Sequence, residues 1–474
     1  MPTLTYPNLG KTAILPTLQD LFRYGEPGVA YDAFDLSSLF QDTAGTNPAT
    51  APEQQIALVS DRIHATHARQ SSVSLRPLIG RAPKDRRNIY LGSDLLEGSS
   101  PSTVNGATFV LDGIGFGATL TGISGASILQ MSAPIASGRT VSFFASAGTS
   151  GSIGVGSTGG AITASFNLVT GVASSGNNTT DAAMQPVAGG YRCSFKALTS
   201  ANLRLVPGTG SINIGKLQIE NGDLTPYQSV SLNGLITTEE GVPSYYFARL
   251  DLSDDRLDTV LPQAVTGDVV IAGRDGTVIA PASYAAGSTF QLGPTSYTGG
   301  VSNILRAVGD VVGWAVIGRT LTAAERKWLL SYHKERGAKG LLVEAGPELI
   351  LNGTFNTDAS NWSSGSGATF AAVSGQLVVT NPSGGTNRRA IQSFSAVIGR
   401  AYRIRGQVIS GGRIGVGTSS VATEIFQITG SVDQVFVATS ATMFVGLAVN
   451  SAAAGDTGVF DNISVRELRP EEEW

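Results

Sequence analysis

The 474-residue chain is poor in reactive and charged groups, with a single cysteine, three histidines and only 14% charged side chains. One thiol, Cys193, closes no internal disulfide and supplies no multi-thiolate metal site, so it reads as a small buried apolar residue. No apolar stretch approaches the ~20 residues needed to span a bilayer as a helix, which excludes membrane insertion by that route. The first residues, Met1 to Pro7, lack a basic region followed by an apolar run, so no signal peptide is expected. A net charge of −4 without a basic cluster argues against a nucleic-acid partner, since phosphate contacts need concentrated Lys and Arg. What the chain does have is 59 glycines, which with 49 serines and 43 threonines make up nearly a third of it. Apolar residues at 42% and aromatics at 7% still suffice for packed cores. The combination predicts many short strands joined by many turns, in about three domains.

An internal repeat supports this reading. Gly106-Ala107-Thr108-Phe109 returns 261 residues later as Gly367-Ala368-Thr369-Phe370. At the same spacing Gly138-Arg139 returns as Gly399-Arg400, and Ile153-Gly154-Val155-Gly156 as Ile414-Gly415-Val416-Gly417. Three islands that keep one register mark a duplicated module. The copies continue to Thr199-Ser200-Ala201 and Thr439-Ser440-Ala441, now 240 residues apart. The first copy therefore holds about twenty extra residues around Ser174 to Thr180, whose polar, turn-rich composition predicts a surface loop.

Both copies show short alternating or apolar runs bounded by glycine, such as Thr140 to Phe144 and Ala401 to Arg405. The predicted fold is all-β: three β-sandwich, jelly-roll-like modules, the first discontinuous with the second inserted in it. The expected boundaries are an N-terminal arm at 1–27, a discontinuous sandwich at 28–78 plus 231–341, an inserted sandwich at 79–230, and its second copy at 342–474. One short helix is expected at 323–336. Thr322 to Glu325 forms a capping box there, Trp328, Leu329 and Tyr332 form an apolar stripe, and His333, Lys334 and Arg336 sit at the negative end of the dipole.

Several segments resemble structural proteins of tailed phages and prophages, in which a concanavalin/laminin-G-like sandwich is interrupted by a carbohydrate-binding-module-like sandwich. Tyr31 to Thr46 resembles the opening of the former, and Ile317 to Glu325 the approach to its terminal helix. Gly190-Tyr191-Arg192-Cys193-Ser194 is similar to the inserted module's Trp-Tyr-Arg-Cys-Ser run, with glycine in place of tryptophan. Leu217 to Glu220 and Thr225 to Gln228 resemble its closing strand. The resemblance implies a virion location, a tail fibre or receptor-binding appendage contacting host cell-surface glycans, and a homo-oligomer with trimers favoured. It also implies docking to other virion proteins through residues 1–27, whose apolar set is Leu18, Leu21 and Phe22. A capsid or tail decoration protein and a polysaccharide depolymerase remain the alternatives.

The search for chemistry points to a binder and not to an enzyme, with no cofactor. Gly10-Lys11-Thr12 lacks the first glycine of a phosphate loop, where Thr5 stands. His64 and His67 have no third ligand at matching spacing. Glu239-Glu240 and Glu471 to Glu473 read as solvated charges rather than a glycosidase pair. Asp251, Asp254 and Asp255 form a weak Ca²⁺ candidate, set against a turn-capping role. The resembled family has a glycine in this turn that the present chain lacks. Candidate glycan-stacking rings are Trp362, in a loop-like stretch that the first copy lacks, and Tyr245 and Tyr246, of which at least one is expected to be buried. Trp362 reads more readily as a core or edge-packing ring near a strand start.

Overall fold

The computed structural model describes residues 17–94, 102–112, 116–124, 127–157, 160–251, 253–293, 305, 308–386 and 388–471. Residues 1–16, with Gly10-Lys11-Thr12, and Glu472 and Glu473 lie outside that set. Contacts divide the chain into two compact units. One comprises Met1–Thr50, Gln55–Pro77 and Phe247–Trp474, the other Ala51–Gln54 and Leu78–Tyr246. The architecture is all-β, built from antiparallel sheets, as the turn-punctuated pattern predicts.

In the first unit, the strand Val311–Ile317 runs between Val265–Gly273 on one side and Gly28–Asp32 on the other, and Thr277–Tyr284 extends the sheet. A second sheet comprises Leu39–Phe40, Leu58–Val59, Ala68–Arg69, Leu257–Val260 and Thr289–Leu292. Tyr31 links the two, its ring 4.7 Å from that of Trp314 and its hydroxyl 3.0 Å from Thr259 Oγ1. The opposite face of the first sheet is covered by the helix Ala323–Lys334, whose Trp328 and Leu329 pack with Val270, Ala315 and Ile317. With both faces covered, every residue of Val311–Ile317 is buried, which is why its sequence is a continuous apolar run.

The helix begins with the predicted capping box: Glu325 N–H donates to Thr322 Oγ1, and Thr322 N–H donates to Glu325. Hydrogen bonds from Arg319, with those of the cap, pull the Glu325 carboxyl down to about 2. His333 departs from expectation. It is buried, and desolvation, seconded by Arg336, pushes its imidazole down to about 3, so it is a neutral core residue and not a cation on the helix end. The expected arm is also corrected where it is described. Leu18–Phe22 is a 3₁₀ turn whose Leu18, Leu21 and Phe22 are buried in the same core as Trp328, so that apolar set is already covered by its own chain.

The two copies share one topology. In the inserted sandwich one sheet runs Thr108–Leu111, Ala118–Gly122, Gly210–Asn221, Arg139–Ala147, Gly190–Ala197, Thr179–Val187. The C-terminal copy repeats the order as Thr369–Val373, Gln376–Thr380, Thr457–Pro470, Ala401–Ser410, Val432–Val437. The opposing sheets correspond in the same way. Even the turns match: Asn105 and Ser366 both have φ +56°, Gly106 and Gly367 +74°, and Gly138 and Gly399 +84°. The extra residues of the first copy are not a loop. They form the strands Val172–Ser175 and Thr179–Val187, one added to the edge of each sheet. An edge strand in water is half-paired and polar, so its composition mimics a loop. Cys193 lies in the inserted core, its thiol pushed up to about 12 by burial.

Residues 231–246, expected with the discontinuous sandwich, group with the inserted one. Thr237–Glu239 folds back on Gln228–Val230, and Glu239 accepts hydrogen bonds from Arg87 and Gln228, each at 2.7 Å.

Candidate functional site

The strand Arg139–Ala147 buries Val141, Phe143 and Ala145 in the core, so Ser142 and Phe144 lie on the outward face of its sheet, where Ser142 is itself covered. Phe144 is half-buried there, edge-on to Phe116 and Tyr227 with ring centroids 5.5 and 5.6 Å away. Two glycines make room for this trio. A Cβ on Gly215 would lie 2.0 Å from the Phe116 carbonyl oxygen, and one on Gly190 only 3.1 Å from the Phe116 ring. Gly190 stands where the resembled motif has tryptophan. Tyr227 is held by its hydroxyl, which donates to Asp94 Oδ1 at 2.8 Å and lies 2.8 Å from Ser93 Oγ. Desolvation raises its phenol above the ordinary tyrosine value.

Two cations surround the central ring. Arg192 Cζ lies 5.7 Å and Lys216 Nζ 5.3 Å from the Phe144 centroid, and Lys216 Nζ is also 5.9 Å from Tyr227. Lys216 gets there through a β-bulge: the pairing of Arg139–Ala147 with Gly210–Asn221 slips between Ser142 and Phe144. The bulge residue adopts φ +51°, a left-handed conformation that costs a non-glycine residue ~1 kcal/mol and that re-aims its side chain. Arg192 is 7% exposed and, among the described residues, donates only to the neutral Ser142 Oγ, at 3.0 and 3.3 Å. Desolvation lowers its guanidinium from the usual value, opposed by the more distant Glu220. Among the described residues neither cation has a carboxylate within salt-bridge distance. The rim continues through Asn213, which accepts from Thr119 Oγ1 at 3.1 Å and donates to Ser146 Oγ at 3.4 Å. The arrangement offers an apolar ring face beside cationic and amide donors, which is how a protein recognises a ligand with one apolar and one hydroxylated side.

The residues singled out from sequence fall elsewhere. Trp362 is 7% exposed in the C-terminal core, its ring 5.6 Å from Phe355, with Nε1 donating to the Asn352 carbonyl at 3.4 Å. A ring so enclosed offers no face for stacking, which corrects its assignment as a glycan-binding residue. Tyr245 and Tyr246 are both half-buried, and the buried ring of the strand Ser244–Arg249 is Phe247 instead. Asp251, Asp254 and Asp255 do converge, each with a carboxylate oxygen within 4.8 Å of the others. Their bonds are those of a capped turn: Asp251 Oδ1 accepts from the N–H groups of Ser253, Asp254 and Asp255, and Asp255 Oδ2 accepts from Asp251 N–H. Burial, seconded by the neighbouring aspartates, pushes Asp255 up to about 6. His64 and His67 engage backbone separately, at Glu26 and Asp61.

Phe144 was missed because Phe143-Phe144 reads as an apolar pair. The available signal was period two, which places Val141, Phe143 and Ala145 on one face and leaves an aromatic on the other.

The chain is similar to solved carbohydrate-binding modules. One, described as "CBM4 structure and function", has 17% identity and a TM-score of 0.20 over 25% of this chain and 99% of that one. The CBM22-1 xylan-binding domain from Paenibacillus barcinonensis Xyn10C has 13% identity and a TM-score of 0.20 over 27% of this chain and 99% of that one. The CBM22-1-CBM22-2 tandem of the same protein covers 82% of this chain and 92% of its own length, with 9% identity and a TM-score of 0.16. No family model matches the chain, and no curated protein does. These likenesses concern the β-sandwich fold and assign no ligand.

Proposed function

We propose that this chain is a non-catalytic glycan-binding protein that reads saccharides on the outward face of its inserted sandwich, as an appendage of a phage or prophage particle. The observation that carries the binding reading is Lys216, held in a strained left-handed conformation at a bulge so that its ammonium overhangs Phe144. Strain retained at one residue beside an uncompensated buried arginine is unfavourable for folding alone and is offset by a ligand that uses both groups. A pyranose lays its C–H face on the Phe116–Phe144 edge and turns its hydroxyls to Arg192, Lys216 and Asn213. The carboxylates beside this face are committed to the fold: Asp94 accepts from the Tyr227 hydroxyl at 2.8 Å, and Glu220 from Gln218 Nε2 at 2.8 Å and from Thr225 N–H at 3.0 Å. That commitment supports binding without hydrolysis. The particle location rests on the resemblance of Tyr31 to Thr46 and Ile317 to Glu325 to tail structural proteins.

A glycan array probed with the full chain tests the reading. Selective retention by a subset of bacterial surface polysaccharides is expected. Retention by none of them would favour a decoration protein with only protein neighbours, and release of reducing ends from a bound polysaccharide would mark a depolymerase.

A further inference from the structure

We propose that the five-stranded sheet of the first unit carries a second saccharide site, selective for sugars that bear a carboxylate. In the strand Leu257–Val260, Leu257 and Thr259 are buried at 1% exposure, so Asp258 and Val260 face outward. Arg69 pairs opposite Asp258, and together with His67, Arg256 and Val260 they line a cavity of about 530 Å³. That volume suits one or two sugar rings.

The charges within the cavity do not cancel. Asp258 is answered from inside the fold, its Oδ1 accepting from Gln291 Nε2 at 2.7 Å and its Oδ2 lying 3.6 Å from Arg256 Nε. Arg69 is exposed and has no hydrogen-bond or salt-bridge partner among the described residues. His67 Nδ1 accepts from Asp61 N–H at 3.2 Å, which leaves Nε2 as the donor of the neutral ring. A free planar guanidinium beside an imidazole donor matches a carboxylate, which it engages through two parallel hydrogen bonds. Val260, 59% exposed, supplies the apolar contact for the sugar ring. The fixed Asp258 charge repels a doubly charged phosphate more strongly than a singly charged carboxylate, so the cavity favours the uronic or nonulosonic class of sugar.

This site shares no residue with the face around Phe144, so either can fail alone. The test is calorimetric titration of the full chain with a glucuronic-acid trisaccharide, its carboxyl-reduced neutral counterpart, and inorganic phosphate. The acidic trisaccharide is expected to bind, the neutral one not, and phosphate more weakly. Arg69→Gln should weaken binding about tenfold and Arg69→Lys by less, because Lys keeps the charge but loses the fork. The same titrations in a Phe144→Ala background, which removes the first face, should keep the Arg69-dependent binding. The Arg69 side chain makes no bond to a described residue, so an unchanged melting temperature will show that Arg69→Gln remains folded. Equal binding of the neutral trisaccharide, tighter binding of phosphate, an Arg69→Gln variant that binds normally, or no binding at all would overturn the proposal.

Discussion

The two copies of the repeated sandwich differ most where they are most alike in backbone. At the spacing of the repeat, Ser142 and Phe144 correspond to Arg403 and Arg405, on the same strand and the same outward face. In the inserted copy that face carries an aromatic trio and two cations that have no carboxylate partner among the described residues. In the C-terminal copy it carries a neutralised network. Arg403 grips Asp433 with two bonds of 2.6 and 2.7 Å, Arg405 reaches Glu344 at 2.5 Å, and Arg466 lies 3.5 Å from Glu348. Both copies also keep the bulge, occupied by Lys216 at φ +51° in one and Asn462 at +54° in the other. Asn tolerates that conformation, and here its amide donates to Gln407 at 3.2 Å. Duplication preserved the scaffold, while the surface was set separately by a handful of outward residues.

The comparison can be strained at several points. The largest effect is expected from Trp362→Ala, which removes a core ring and should cost about 3–5 kcal/mol of stability in the C-terminal copy. Glycan retention should survive in molecules that remain folded, and selective loss of retention without destabilisation would restore Trp362 as a platform. Lys216→Asn, which installs the residue of the other copy, should raise stability by ~0.5–1 kcal/mol by relieving the left-handed lysine, and should weaken glycan binding. Thermal melts and titrations of the one variant read both signs, and a variant that loses stability would remove the strain argument. Arg403→Ala should cost only about 0.5 kcal/mol, because both partners are substantially exposed, and should leave binding untouched.

The smallest effect concerns acid. The Arg403 hydrogen bonds hold the Asp433 carboxyl below its ordinary value. Its contribution is therefore full above about pH 4, where the unfolded aspartate is ionised, and fades as pH falls through the depressed folded value. Hydrogen exchange, corrected for intrinsic rates, should show Ala401–Ser410 loosening below pH 4 more than Arg139–Ala147. Equal loosening would mean that the ion pairs do not distinguish the faces.

The scaffold was largely legible in the sequence, and the face was not. Glycine recurrence revealed the repeat in part because turn positions take positive φ in both copies, as at Gly106 with Gly367 and Gly138 with Gly399. The helix was legible because the Thr322–Glu325 cap is local chemistry. Ser174 to Thr180 reads as a loop because the edge strands that it joins, Val172–Ser175 and Thr179–Val187, expose alternate residues and have loop-like composition. Phe143 and Phe144 differ in role only through register, Trp362 only through what encloses it, and His333 only through burial. Each of these depends on distant strands, which periodicity reads poorly over a few residues.

The central claim is that the two matching faces differ in function, and the direct test is a paired titration of one retained glycan against Phe144→Ala and Arg405→Ala in the full chain. The account predicts a loss of about tenfold or more for Phe144→Ala, whose ring supplies the stacking surface, and no change for Arg405→Ala. Unchanged binding by Phe144→Ala, or an equal loss in both variants, would contradict it.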